Sequence, residues 1–204
     1  MKKLKLIIVI SMLVFLAATV TLFAMWKGQT EINIKDVWIK KSIDKELMKT
    51  NEDCGIATVK MLLDFYDKDV SYDQLKTNIN TTTEGTDWED IKNYIQTFDY
   101  MKVLEFEDNL DIAKEYLEKG YPLFICWNVN QKEEDSHYSI LIAIDKYSVW
   151  MLDPEEKKSL TEYSLNYFLP CWENQNYWFC ILEKTDKKTE IKEQITDEET
   201  DIIK

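Results

Sequence analysis

Three side chains of this protein have the types and the order needed for nucleophilic attack on a carbonyl group. Cys54 lies in the segment Asn-Glu-Asp-Cys-Gly, His137 is the only histidine, and Asp153 precedes a proline. A thiol becomes a strong nucleophile as the thiolate, a histidine can take its proton, and a carboxylate can orient the imidazole ring. If the fold brings them together, they form a nucleophile, its base and the group that orients the base.

The elements that must position these groups begin with a helix at Cys54. Asp53 has a side chain of the kind that caps helix N-termini, and apolar residues recur at helical spacing as far as Asp67. These apolar residues are Ile56, Val59, Leu62, Leu63 and Tyr66. A helix N-terminus stabilises an anion, which favours the thiolate, and Gly55 would let a substrate approach the backbone closely. The alternative is that Cys54 is a small buried core residue.

A hairpin is predicted to bring His137 and Asp153 together. Residues 137–144 and 147–152 have the composition of strands, and Asp145-Lys146 between them indicates a tight turn. In an antiparallel pair the ends far from the turn lie side by side, so the Asp153 carboxylate could orient the His137 ring. The alternatives are a structural histidine and an Asp-Pro turn without a chemical role.

The order of elements predicts an α+β fold, with N-terminal helices packed on an antiparallel sheet, because helices precede most of the strands. The predicted helices are 54–67, 71–75, 87–98, 110–119 and 159–168. The predicted strands are 101–106, 122–129, 137–144, 147–152 and 177–182, the last of which closes the sheet. Residues 81–86 and 131–136 are expected to be polar loops.

Composition restricts the class of protein. The chain has 204 residues and a net charge of −13, which suits one acidic domain with a sizeable core and argues against a nucleic-acid-binding protein. The cysteine and histidine spacing does not match a metal site, so neither a metal nor a cofactor is expected. Beyond Cys54, either Cys171 and Cys180 form a disulfide, or they and Cys126 are all buried apolar residues.

The N-terminal segment predicts a single membrane-spanning helix. Residues 6–25 are almost wholly apolar, followed by Trp26 and Lys27, and the lysines before them favour a cytoplasmic N-terminus with the rest of the chain outside. The alternative is a cleaved signal peptide and a secreted protein. The predicted organisation is a cytoplasmic N-terminus 1–5, a transmembrane anchor 6–26, a connector 27–44, a globular domain 45–183 and a charged tail 184–204.

A set of short motifs occurs in a characteristic order. They are Asp53-Cys54-Gly55-Ile56-Ala57, Glu84-Gly85-Thr86, Pro122, His137-Tyr138 and Leu152-Asp153-Pro154. Together they resemble the bacteriocin-processing peptidases, which are papain-like cysteine peptidases that remove double-glycine leaders from secreted peptides. The resemblance implies a papain-like fold preceded here by the anchor, a peptide or protein substrate, and a catalytic triad of Cys54, His137 and Asp153.

One position departs from the family pattern. The family places a glutamine upstream of the cysteine, where it contributes to the oxyanion hole, whereas this chain has Met48. The Cys54 backbone N–H and the Asn51 side chain remain as candidate donors. Three functions are therefore expected: a membrane-anchored extracytoplasmic thiol peptidase resembling the stand-alone members, a catalytically impaired peptide-binding module, or an acyl or peptidyl transferase on the same fold.

Overall fold

The computed structural model describes residues 37–107, 109–132 and 135–185. The predicted N-terminus 1–5, the anchor 6–26, the first part of the connector and the tail beyond residue 185 lie outside these ranges. No helix within the ranges is long and apolar enough to span a membrane.

Five α-helices and nine strands are present in the described part of the chain. The helices are α1 (Cys54–Phe65), α2 (Tyr72–Asn78), α3 (Trp88–Ile95), α4 (Leu110–Glu118) and α5 (Leu165–Glu173). The strands are β1 (Val37–Trp38), β2 (Thr81–Thr82), β3 (Gly85–Thr86), β4 (Met101–Glu107), β5 (Leu123–Asn128), β6 (Ser136–Ile144), β7 (Ser148–Leu152), β8 (Thr161–Ser164) and β9 (Trp178–Lys184). Residues 81–86, which we expected to be a loop, form the short β2–β3 hairpin.

The main sheet has the strand order β4-β9-β5-β6-β7-β8, and β1 pairs with β6. Its pairs are antiparallel, which confirms the predicted α+β class. The strand β9 does not close the sheet as predicted but lies between β4 and β5. Its middle residues, Phe179 to Leu182, are all buried, as expected for a strand covered on both faces.

Helices cover both faces of the sheet. Helices α1, α2 and α3 share one apolar cluster with Phe124 and Ile140 on the first face. Side chains alternate along a strand, so Trp127 projects from the opposite face, where it contacts Phe168 of α5. Tyr116 of α4 also contacts that face through Phe179. The first face carries the helix that begins with Cys54.

The predicted helix 159–168 is wrong in its first half. Residues 161–164 form β8, which pairs with β7 through Met151–Thr161 and Val149–Tyr163, and α5 begins only at Leu165. Threonine and tyrosine suit a strand, and β7 offers an edge whose backbone groups need partners. This strand becomes part of the candidate site.

Of the two alternatives for Cys171 and Cys180, a disulfide or buried apolar thiols, the structure contains the thiols. All four cysteines are free thiols and all are buried. Cys180 belongs to the apolar cluster beneath α1–α3, whereas Cys171 belongs to α5, which covers the opposite face. The sheet lies between the two sulfurs, so the alternative of buried apolar cysteines describes them.

Candidate active site

The thiol of Cys54 lies at the first residue of α1, as predicted. Asp53 occupies the N-cap position, but its side chain does not cap the helix. Instead its carboxylate accepts hydrogen bonds from Lys76 Nζ at 2.8 Å and from the Tyr72 hydroxyl at 3.1 Å. The capping role expected for Asp53 is therefore wrong, because a charged partner on α2 attracts the carboxylate away from the N–H groups of the first turn.

Gly55 serves helix packing rather than substrate access. A Cβ atom at this residue would lie 2.9 Å from Thr86 Cβ and 3.1 Å from Ile91 Cδ1. The side chains of β3 and α3 fill the space that we expected a substrate to use. Glycine at this residue lets α1 approach the β2–β3 hairpin closely.

The hairpin formed by β6 and β7 brings His137 and Asp153 together. His137 Nε2 lies 2.8 Å from Asp153 Oδ1, and both side chains are buried. The register pairs Ile140 with Leu152 and contains an irregularity between Leu141 and Ala143. Continuing this register places Asp153 beside Ser139, so His137 is its diagonal neighbour on the same face.

Two further groups hold the Asp153 carboxylate. The Tyr163 hydroxyl donates to Oδ2 at 2.6 Å, and the Glu155 N–H donates to Oδ1 at 3.0 Å. Burial opposes the charge of Asp153, but the bonds and charge of His137, the Tyr163 hydroxyl and the Glu155 N–H outweigh burial and lower its pKa. Sequence reasoning missed Tyr163, because its segment was assigned to a helix; the alternation of Thr161 and Tyr163 with polar residues was the available signal.

Cys54 and His137 line the same cleft, and the interaction of the thiol with the His137 ring lowers the pKa of Cys54. Asp153 occupies Nε2, which leaves Nδ1 as the ring nitrogen available to the sulfur. Burial favours a neutral Cys54, but the bond and charge of His137 and backbone hydrogen bonds at Tyr138 and Gly55 outweigh burial and lower the pKa of Cys54.

The pKa of His137 shifts in the opposite direction to that of Cys54. Burial favours the neutral imidazole, but the hydrogen bonds and charges of Asp153 and Cys54 raise the pKa of His137 to about 10. The lowered pKa of Cys54 and the raised pKa of His137 both favour a thiolate beside an imidazolium over the neutral pair.

A cleft with a volume of about 430 Å³ opens in front of this pair and is lined by Cys54, His137 and Asn51, among others. Met48 is not among its lining residues. The side chain of Met48 packs against the core cluster, and its N–H donates to the Pro154 carbonyl at 3.0 Å. Of the two upstream residues that we considered for the oxyanion hole, the one facing the cleft is Asn51.

Four acidic residues are among those that line the cleft: Glu52, Glu84, Asp135 and Glu155. Within the described ranges, no group of three or more histidine, cysteine or acidic side chains is arranged to hold a metal ion. The chemistry that this arrangement can perform is attack by a thiolate, with proton transfer through the imidazole.

The family model for the peptidase C39 family matches residues 44–185. The chain belongs to the peptidase C39 family. This confirms the resemblance to bacteriocin-processing, papain-like cysteine peptidases.

Two proteins from Lactococcus lactis subsp. lactis are similar to part of this chain. Over 121 residues the chain is 27% identical to the lactococcin-A transport/processing ATP-binding protein LcnC. Over the same length it is 31% identical to an LcnC-like lactococcin transport/processing protein of strain IL1403. These matches cover 59% of this chain but 16% of each relative.

Solved C39 structures share the fold. A C39-like peptidase from Bacillus anthracis has a TM-score of 0.63 at 13% identity, over 75% of this chain and 100% of that one. The peptidase domain of Streptococcus ComA has a TM-score of 0.60 at 16% identity, over 71% and 100%. A double-glycine-motif protease from an AMS/PCAT transporter, solved with a leader peptide, has a TM-score of 0.54 at 15% identity, over 74% and 99%.

Proposed function

We propose that this protein hydrolyses peptide bonds, with Cys54 as nucleophile, His137 as the acid–base group and Asp153 as the residue that orients His137. The observation that carries the proposal is the arrangement of the three residues: Cys54 and His137 line one cleft, and His137 Nε2 lies 2.8 Å from Asp153 Oδ1. Membership of the C39 family supports it.

In the first half of the reaction, the Cys54 thiolate attacks the peptide carbonyl carbon. A carbon–sulfur bond forms, and the carbonyl electrons move to oxygen to give an oxyanion. The His137 imidazolium then donates its proton to the leaving nitrogen as the carbon–nitrogen bond breaks. The products are a free amine and a thioester on Cys54.

In the second half, water attacks the thioester and His137 accepts its proton. The carbon–sulfur bond breaks, which releases a carboxylic acid and regenerates the thiolate beside the imidazolium. Asp153 remains ionised throughout and stabilises the imidazolium. Its hydrogen bonds with Tyr163 and Glu155 keep the carboxylate in position.

The oxyanion is expected to be stabilised by the Cys54 backbone N–H and by the Asn51 side-chain amide. Asn51 lines the cleft with Cys54, whereas Met48 packs into the core. One donor of this kind typically contributes about 100- to 1000-fold to the rate. In this proposal the Asn51 amide takes the role of the family glutamine.

Peptides are the proposed substrates, and the cell membrane is the proposed location. A relative's name describes transport and processing, and a structural neighbour was solved with a leader peptide.

We further propose that residues 6–26 anchor the protein with the 45–183 domain outside and the 184–204 tail beyond it. Membrane fractionation and protease treatment of intact cells test this: digestion from outside supports it, and complete protection contradicts it.

The test of catalysis is cleavage of a peptide panel that includes double-glycine precursors, followed by mass spectrometry. We expect cleavage by the wild-type chain and by Cys171→Ala, a control that removes a buried thiol outside the site. Cys54→Ala should lose activity. Cleavage by Cys54→Ala at the wild-type rate would contradict the proposed nucleophile. Adding a competing amine and looking for its peptide adduct distinguishes hydrolysis from acyl transfer.

A peptide-binding module is the second candidate, and Met48 is the observation that favours it. Its side chain supplies no hydrogen-bond donor and is turned away from the cleft towards the core. If the protein is a binding module, peptides of the panel should bind with measurable affinity. The wild-type chain and Cys54→Ala should bind them equally well, and neither should release a cleavage product. Any Cys54-dependent product formation rejects it.

A further inference from the structure

A buried carboxylate lies directly beside the proposed nucleophile. Asp53 is fully buried, and Lys76 Nζ lies 2.8 Å from each of its oxygens. The Tyr72 hydroxyl donates to the same carboxylate at 3.1 Å. Both partners come from α2.

The same helix holds the segment that precedes Cys54. The Tyr72 hydroxyl accepts a hydrogen bond from the Lys49 N–H at 3.1 Å, and Lys49 Nζ pairs with Asp73 at 2.9 Å. On the other side, the Met48 N–H bonds to the Pro154 carbonyl, in the loop that follows Asp153. The segment that leads into the turn carrying Asn51 is therefore hydrogen-bonded both to α2 and to the loop that follows Asp153.

The charge of Asp53 opposes formation of a thiolate at the next residue. Negative charges on adjacent residues repel each other, whereas a cation bound to one of them cancels most of that repulsion. Lys76 supplies the cation. Other titratable groups that interact with the thiol are His137, Cys126 of β5 and Tyr138 of β6. Asp153 is bonded to His137, and Glu52, Glu84, Asp135 and Glu155 line the cleft.

We propose that Asp53, Lys76 and Tyr72 form a positioning cluster, which holds the turn carrying Cys54 and Asn51 and neutralises the carboxylate beside the thiolate. The effect of the cluster on the rate of peptide cleavage rests on the proposed peptidase function. Its effect on the pKa of Cys54 is independent of that function, because thiolate formation can be measured without a substrate. None of the three residues lines the cleft, so they act through Cys54 and Asn51.

The experiment measures the pH midpoint of Cys54 alkylation by iodoacetamide, with the modified peptide identified by mass spectrometry. Lys76→Met leaves the Asp53 charge uncompensated, so we expect the midpoint to rise by about one pH unit. Asp53→Asn removes the negative charge and should lower the midpoint. Lys76→Arg should restore the wild-type value. Lys119→Met is the matched control, because it removes the same charge from an exposed pair with Glu115.

The opposite directions of the two shifts separate this proposal from a purely structural role. Midpoints that move together, or remain unchanged while thermal stability falls, would overturn it. If Lys76→Met does not fold, the proposal is tested by Asp53→Asn and Tyr72→Phe instead. Tyr72→Phe leaves the charge unchanged and should lower kcat several-fold because the turn is held less firmly. An unchanged kcat in Tyr72→Phe would contradict the positioning role. If the alkylation midpoints shift in opposite directions but the wild-type chain cleaves no peptide, the charge-neutralising role of Lys76 stands and the peptidase function is rejected.

Discussion

At the scale of single residues, His137 connects the two halves of the candidate site. Its ring is hydrogen-bonded to Asp153 and lines the same cleft as Cys54. The raised pKa of His137 and the lowered pKa of Cys54 are one coupled effect, because each charge stabilises the other. The proposed function therefore depends on the ion pair rather than on either residue alone.

Asp153→Asn tests the orienting carboxylate. An amide does not stabilise the imidazolium as a carboxylate does and can hold the ring in the wrong tautomer, so kcat should fall on the order of 100- to 10,000-fold. Peptide cleavage at neutral pH measures the loss. Asp111→Asn, which changes an exposed carboxylate of α4, is the control and should retain wild-type kcat. A full rate in Asp153→Asn would show that the carboxylate has no role.

Tyr163→Phe tests the hydroxyl behind Asp153. The bond between this hydroxyl and the Asp153 carboxylate is 2.6 Å long. Its loss should reduce kcat about 10-fold with little change in KM, because a hydrogen bond to a charged group contributes about 1.5 to 3 kcal/mol and water can replace part of it. Tyr147→Phe, at an exposed turn, is the control. A change in KM alone would place Tyr163 in substrate binding instead.

At the scale of elements, a helix N-terminus, a hairpin and an edge strand meet at the site. The sequence was sufficient for the first two, because the helical spacing after Cys54 and the turn at Asp145-Lys146 are local patterns. The third was missed: residues 161–164 form a strand only because β7 offers them an edge. The side chain of Asp53 was misplaced for the same reason, since its partner Lys76 is distant in sequence and reaches it through the fold.

Gly55→Ala tests the close contact between α1 and its neighbours. The added methyl would meet Thr86 Cβ at 2.9 Å, a distance that forces α1 or the hairpin to move. We expect a loss of about 1 to 3 kcal/mol in the free energy of unfolding, measured by urea denaturation, and a lower kcat because Cys54 moves with the helix. Ala57→Gly in the same helix is a control for backbone entropy. Unchanged stability in Gly55→Ala would refute the packing role.

At the scale of the whole molecule, negative charge dominates. The chain carries a net charge of −13, and Glu52, Glu84, Asp135 and Glu155 are among the residues that line the cleft. These four acids outnumber the His137 imidazolium in the cleft, and a cleft of net negative charge concentrates ligands of the opposite sign. The proposed peptide substrates should therefore associate faster when they are basic.

Matched peptides that differ only in lysine or glutamate beside the cleaved bond test this effect. We expect the lysine peptide to have the higher kcat/KM at low salt. The difference should shrink in 0.5 M salt, where the screening length is about 4 to 5 Å. The control is Glu118→Gln, a charge change on α4 away from the cleft, set against Glu84→Gln in its lining. Equal kcat/KM values for both peptides at low salt would exclude electrostatic selection.

The central claim, a thiolate at Cys54 stabilised by His137, is tested most directly by the rate of Cys54 alkylation as a function of pH. The account predicts a midpoint well below the ordinary thiol value of about 8.5 in the wild-type chain, and a midpoint above the wild-type value in His137→Gln. A wild-type midpoint at or above about 8.5 that does not move in His137→Gln would contradict the account.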